Sequence, residues 1–128
     1  MKLLLDTHAF LWLVEGSPNL STTARSALSD PRNDLYLSAA SVWELAIKTG
    51  NKKLTLTDPL DLFLAKWVGA YHIAVLPIET PHALAVATLP NHHRDPFDRI
   101  LIAQALIEGM TLTSADAKFA PYPVPILW

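Results

Sequence analysis

Four acidic side chains stand at the points where apolar runs give way to helical segments, and their chemistry suits a hard metal ion. Asp6 directly follows the run KLLL, and Glu44 lies in the first turns of the helix after LYL. Asp98 lies in the first turn of the helix DPFDRILIAQAL, and Asp116 follows the run TLT. Ligands of open parallel sheets bind beyond the carboxyl ends of the strands. Clustered carboxylates repel one another unless a cation is present, and Mg²⁺ and Mn²⁺ prefer oxygen ligands. If these strands are neighbours, the spacing predicts a metal site.

Each acid also has a structural explanation when it is taken alone. Asp6 is a plausible turn residue at a strand end. Glu44 has the spacing to complete a capping box with Ser41 or to pair with Lys48 one turn later. Acids at helix starts, such as Asp116, are favoured by the helix dipole. A metal site is favoured over these explanations only because all four acids are expected at the same edge of the sheet.

The pair Asp95 and Asp98 needs separate treatment because both acids open the same helix. Asp95 before Pro96 is a good N-cap, and this is its predicted main role. Asp98 follows three residues later, so a capping role for Asp98 remains the alternative to metal binding. A contribution of Asp95 to the metal site is also left open.

Short apolar strands alternate with helices along almost the whole chain. The predicted strands are Lys2–Leu5, Leu35–Leu37, Ile73–Ile78, Met110–Thr113 and Val124–Leu127. The predicted helices cover 7–15, 22–30, 38–49 (with Gly50 just past the end), 59–69 (with Asp58 as the cap), 80–88 and 96–109. This alternation is typical of an α/β domain with a mostly parallel sheet covered on both faces. We expect one domain over 1–128, because no linker or repeat interrupts the pattern.

Composition excludes several classes of protein. With 51% hydrophobic and 17% charged residues in 128, the chain is not intrinsically disordered. The lack of cysteine excludes disulfides, thiolate zinc sites and a cysteine nucleophile. The longest apolar stretch, Ile100 to Ile107, falls short of the roughly 20 residues that span a bilayer. We therefore expect a cytoplasmic protein that does not bind membranes.

Four segments together resemble PIN-domain ribonucleases of the VapC type, the toxins of toxin–antitoxin pairs. The segments are LLLDTHAFLW, LSAASVWELAIKTG, HHRDPFDRILIAQALIEGMTLTSAD and PVPILW. The resemblance implies a three-layer α/β/α fold with a mostly parallel sheet of about five strands. It also implies an endoribonuclease that depends on Mg²⁺ or Mn²⁺, in which a metal-activated water attacks the phosphodiester and leaves a 3′-hydroxyl and a 5′-phosphate.

The resemblance also assigns roles to individual residues. The catalytic and metal-binding acids of the family fall on Asp6, Glu44, Asp98 and Asp116, with Asp95 as a further candidate ligand. Thr7 and Ser114 are expected to hydrogen-bond these carboxylates. The expected partners are an RNA substrate, a cognate antitoxin and a second copy of the chain.

The polar segment before the Asp95 helix is the candidate RNA contact. His92, His93, Arg94 and Arg99 are the residues we expect to reach RNA phosphates. The alternative is an ordinary polar loop. A zinc site is disfavoured, because adjacent histidines seldom bind one ion together.

Two other functions compete with the nuclease interpretation. A PIN-like module without catalytic activity would bind only RNA or protein, although the four acids argue against it. A phosphatase of the haloacid dehalogenase type would need a second aspartate two residues after Asp6, where His8 stands.

Overall fold

The computed structural model describes all 128 residues and contains one parallel sheet between two layers of helices. The strands are β1 (Lys2–Leu5), β2 (Asp34–Ser38), β3 (Ala74–Leu76), β4 (Thr111–Thr113) and β5 (Ile126–Leu127). The helices are α1 (Thr7–Glu15), α2 (Thr22–Ser29), α3 (Ala39–Gly50), α4 (Leu60–Ala70), α5 (Thr80–Val86) and α6 (Pro96–Glu108), with a 3₁₀ turn at Ala117–Phe119. The expected α/β fold class is confirmed.

The strand order places β1 at the centre of the sheet. The order is β3-β2-β1-β4-β5, and every neighbouring pair is parallel. Leu5 lies opposite both Leu37 of β2 and Thr113 of β4, so these three strands end at the same level. The side chains that follow these strands therefore share one edge of the sheet.

Alternation along β1 explains the two helical layers. Leu3 and Leu5 belong to a buried cluster with residues of α1, α2, α3 and α4. Leu4 points to the opposite face, where it joins a second cluster built mainly on α6. Because successive side chains of a strand face opposite sides, an uninterrupted apolar strand requires helices on both faces.

Several element boundaries differ from the sequence-based expectation. Helix α4 begins at Leu60 with Pro59 in the capping position, so Asp58 does not cap it. Gly50 is the last residue of α3 instead of the residue that follows the helix. By contrast, α6 begins after Asp95 and ends at Gly109, which adopts a left-handed φ of 67°. None of the helices is long and apolar enough to cross a membrane.

Candidate active site

Asp6 is the most deeply buried acid at the carboxyl edge of the sheet, and two hydrogen bonds hold it there. Its Oδ1 accepts from the backbone N–H of Ala9 at 2.7 Å, which makes Asp6 the N-cap of α1. The hydroxyl of Ser114, at the end of β4, donates a second hydrogen bond. Burial outweighs both bonds and raises the pKa of Asp6 above its usual value. A nearby cation would reverse this effect of burial.

Asp98 lies near several other carboxylates, and their negative charges act on it together. Burial and, after it, the charges of Asp95, Glu44, Asp6 and Asp116 raise the pKa of Asp98 to about 7. These charges come from four different parts of the chain, and each contributes only because it lies near Asp98. The charges of all the acids that the sequence singled out thus act on Asp98. Asp6 and Glu44 do not belong to the group of side chains whose potential ligand atoms lie within 4.8 Å of one another.

Glu44 enters the cluster from α3, one turn into the helix. Its Oε1 accepts a hydrogen bond from the hydroxyl of Thr7. Its Oε2 lies 3.0 Å from Nζ of Lys48, one helical turn later. The expected pairing with Lys48 is therefore present. A capping box with Ser41 is not, because Ser38 caps α3.

Asp95 uses one carboxylate oxygen to begin α6. Its Oδ1 accepts from the backbone N–H groups of Phe97 at 2.8 Å and Asp98 at 3.2 Å. This cap fixes the first turn of α6 and hence the place of the Asp98 side chain. Asp95 thus both positions Asp98 and raises its pKa.

Asp116 is held at the start of the short 3₁₀ turn. Its Oδ1 accepts from the backbone N–H of Lys118 at 2.9 Å, and its own N–H donates to Oγ of Ser114 at 3.0 Å. Ser114 therefore joins Asp116 to Asp6, while Thr7 joins α1 to Glu44. Both hydroxyl side chains lie beside carboxylates of the cluster.

His93 occupies a place that the sequence did not predict. The side chain is only 4% exposed, and its Nε2 lies 3.0 Å from Oδ2 of Asp98 and 3.3 Å from Oδ2 of Asp116. These three residues form the tightest set of potential ligand atoms in the structure, within 4.8 Å of one another. Since His93 is turned toward the acids, it does not face solvent as the expected contact to RNA phosphates would.

Arg99 also departs from the expectation of a phosphate contact. Its guanidinium donates to backbone carbonyls of the segment 86–93, at distances of 3.0 to 3.3 Å. By contrast, His92 and Arg94 are exposed. Lys118, which the sequence reading overlooked, is exposed on the same side.

An open depression of about 530 Å³ lies beside three of the five acids, not including Asp6 and Glu44, and has no hydrophobic lining residue. It is lined by His92, His93, Arg94, Asp95, Asp98, Asp116 and Lys118. Carboxylates form the base, and exposed cations stand at the rim. This arrangement suits a charged ligand that carries phosphate, with cations between the phosphate and the acids.

The family model described as the PIN domain matches residues 3–124. The chain belongs to the PIN domain family. A curated relative, ribonuclease VapC22 of Mycobacterium tuberculosis, is 28% identical over 123 residues, which cover 95% of this chain and 92% of the relative.

Solved structures show the same PIN fold at low sequence identity. VapBC2 from Rickettsia felis, bound to a DNA fragment from its promoter, matches with a TM-score of 0.74 and 16% identity, over 98% of this chain and 97% of that chain. FitAcB from Neisseria gonorrhoeae matches with a TM-score of 0.66 and 21% identity, over 97% and 95%. The fold of this chain is thus shared with these solved structures.

Proposed function

We propose that this protein is a metal-dependent endoribonuclease that acts in the cytoplasm as the toxin of a toxin–antitoxin pair. The observation that carries the proposal is the convergence of carboxylates on Asp98, whose pKa is raised to about 7 by burial and by neighbouring acids. In a PIN domain, an acidic cluster under a polar, cation-rimmed depression supports phosphodiester hydrolysis. The named ribonuclease relative supports RNA as the substrate.

The residues present fit a divalent ion such as Mg²⁺ or Mn²⁺. Asp6 and Asp98 would be its principal ligands, because Asp6 is buried, Asp98 is half-buried, and both have raised pKa values that a cation would lower. Glu44 and Asp116 would hold the ion through water or bind a second one. When bound, such ions supply a hydroxide nucleophile at neutral pH and offset the charge that develops on phosphorus.

The protein's own side chains orient this site and admit the substrate. Thr7 and Ser114 fix two of the carboxylates by hydrogen bonds, which keeps their free oxygens in place. Arg94 and Lys118 would attract the RNA backbone to the rim, where their charges are exposed. The chain carries a formal charge of −2, so this attraction must be local.

An antitoxin and a second copy of the chain are the protein partners we propose. The solved structures named above, VapBC2 and FitAcB, support an antitoxin partner. An apolar groove of about 320 Å³ next to the site offers a surface for the second copy. Its lining includes Trp43, Phe97 and Ile78, and the Trp43 side chain is 61% exposed. Large exposed aromatic groups in such a groove indicate a protein interface.

Cleavage of total bacterial RNA by the purified protein tests the proposed activity. We expect cleavage with Mg²⁺ or Mn²⁺ and none with EDTA. Asp6→Asn and Asp98→Asn should reduce the rate by roughly 100-fold or more, since each removes a ligand charge. Asp61→Asn, at an exposed position in the first turn of α4, is the matched control and should cleave like the wild type. Cleavage by Asp98→Asn at the wild-type rate would refute the proposal. If the wild type binds RNA but does not cleave it, the protein is a PIN-like module without catalytic activity.

A further inference from the structure

The guanidinium of Arg99 is saturated by acceptors from its own chain. Nη1 donates to the carbonyls of Pro90 and His93, at 3.0 and 3.2 Å, and lies 3.4 Å from the hydroxyl of Tyr122. Nη2 donates to the carbonyls of Val86 and Leu89, at 3.1 and 3.3 Å. The terminal N–H groups thus face five oxygen atoms, and they are all engaged without any phosphate.

The hydroxyl of Tyr122 contacts the same segment beside the guanidinium of Arg99. It donates to the carbonyl of Pro90 at 2.7 Å and accepts from the backbone N–H groups of His92 and His93, at 3.1 and 2.8 Å. Tyr122 is 4% exposed, so these partners replace water. Together, Arg99 and Tyr122 hydrogen-bond six backbone groups between Val86 and His93, namely four carbonyls and two N–H groups.

The conformation of this segment determines where the His93 ring lies. Nδ1 of His93 accepts from the backbone N–H of Asp95 at 3.3 Å, so Nδ1 carries no proton in the neutral ring. The proton is then on Nε2, which faces Oδ2 of both Asp98 and Asp116. In this tautomer Nε2–H donates to Oδ2 of Asp116 and lies against Oδ2 of Asp98, so this nitrogen offers no lone pair to a metal ion.

We propose that Arg99 and Tyr122 are positioning residues: they fix the segment 86–93 so that the His93 ring, through its contacts with Asp98 and Asp116, holds these two acids in the geometry for metal binding. This inference rests on the proposed function of the site. It assigns Arg99 to the support of the carboxylates, whereas Arg94, exposed directly after this segment, is left for RNA. The planar fork of a guanidinium is needed, because an ammonium group has only three N–H donors and cannot span four carbonyls.

Two conservative variants and two control variants separate positioning from RNA contact. Arg99→Lys keeps the positive charge but loses the planar guanidinium group with its several N–H donors. Tyr122→Phe keeps the buried ring but loses the hydroxyl. Arg94→Gln removes an exposed cation at the rim. Arg32→Gln removes an exposed arginine that pairs only with Asp30, and it should behave like the wild type.

The first measurement is the affinity for Mn²⁺, obtained by electron paramagnetic resonance. Loss of residues that orient metal ligands typically costs 10–100-fold in metal affinity, so we expect Arg99→Lys and Tyr122→Phe to weaken Mn²⁺ binding by about tenfold or more. Arg94→Gln should bind Mn²⁺ like the wild type. Wild-type Mn²⁺ affinity in both Arg99→Lys and Tyr122→Phe would overturn the inference.

The second measurement is the salt dependence of binding to a fluorescein-labelled single-stranded RNA, in EDTA. Loss of one phosphate contact lowers the slope of log K against log salt by about 1. We expect this change for Arg94→Gln and no change for Arg99→Lys. Arg99→Lys could instead lower the slope as Arg94→Gln does and leave the Mn²⁺ affinity unchanged. That result would show that Arg99 is an RNA contact and not a positioning residue.

The third measurement does not depend on metal or RNA, so it separates this inference from the proposed function. ¹⁵N NMR of the metal-free protein should show His93 protonated on Nε2, with slow exchange of that proton. In Arg99→Lys and Tyr122→Phe the exchange should accelerate, while Arg94→Gln should match the wild type. A wild-type protein that binds no Mn²⁺ and cuts no RNA defeats the proposed function. An unchanged His93 signal in both positioning variants defeats the inference.

Discussion

Nε2 of His93 lies 3.0 Å from Oδ2 of Asp98, so a buried imidazole closes one side of the carboxylate cluster. The same nitrogen lies 3.3 Å from Oδ2 of Asp116. One side chain thus contacts two acids that different elements carry, α6 and the 3₁₀ turn after β4. The spacing of these two charges therefore depends on the segment before α6 as well as on the sheet.

Replacement of His93 should separate these two carboxylates without unfolding the protein. In His93→Leu the shared donor is lost, and we expect metal-dependent RNA cleavage to fall by roughly 10–100-fold, as is typical for residues that orient metal ligands. Cleavage rates at saturating Mg²⁺ measure the effect, and circular dichroism verifies the fold. His92→Leu is the neighbouring comparison, because the exposed His92 ring contacts Tyr122 and none of the acids. Equal rates for the two variants would contradict a specific role of His93.

The different tasks of Asp95 and Asp98 can be separated by amide substitutions. Asparagine caps helices about as well as aspartate, so Asp95→Asn should keep both the stability of α6 and most of the activity. Asp95→Ala removes the cap and should cost about 1 kcal/mol of stability. Asp98→Asn should abolish cleavage while keeping the fold. If Asp95→Asn is as inactive as Asp98→Asn, Asp95 is itself a ligand.

The sequence predicted the helices and strands because the residues that begin and end each of them are close neighbours along the chain. Asp95 followed by Pro96 and the later Gly109 define α6, as the sequence indicated. Strand order could not be read directly, but an apolar run such as KLLL requires a buried central position, and this places Asp6 at the middle of the sheet edge. The convergence of the acids follows from these two facts.

The support of the site was not predictable, because it depends on contacts between distant residues. Tyr122 contacts His93 across 29 positions of the chain, and no local pattern indicates that contact. Arg99 was expected to face RNA because a cation near acids suggests phosphate binding. Its neighbours in space are instead backbone carbonyls at the end of α5 and in the segment that follows it.

The metal-free protein should lose stability as the pH rises from about 4 to about 7. The folded-state pKa of Asp98 is raised to about 7 from an ordinary value of 3.8, so within this range the folded chain retains a proton that the unfolded chain has released. Each pH increment then favours unfolding. Asp6 contributes in the same direction, because its pKa is also raised. Urea midpoints in EDTA, at about pH 5 and about pH 8, measure the change.

Two comparisons identify the carboxylates as the cause of this pH dependence. Mg²⁺ should raise the urea midpoint more at the higher pH, because only ionised Asp98 is a good ligand. Asp98→Asn should flatten the metal-free dependence. Asp30 does not interfere, since its pKa is lowered to about 2 and its effect is complete below this pH range. A metal-free midpoint that stays level or increases toward higher pH would contradict the raised pKa of Asp98.

Substitution of Trp43 should weaken self-association more than it weakens the fold. The Trp43 ring is 61% exposed and meets Phe97 edge-to-face at 5.0 Å, within the apolar groove beside the site. Burial of this surface against a second copy would stabilise a dimer, because large aromatic side chains dominate interface energetics. We expect Trp43→Gln to shift the mass measured by light scattering from dimer toward monomer, with little change in melting temperature. Leu62→Gln, which replaces a side chain that is 59% exposed on α4, is the matched control and should remain dimeric. If both variants keep the wild-type mass, the groove is not the interface between copies.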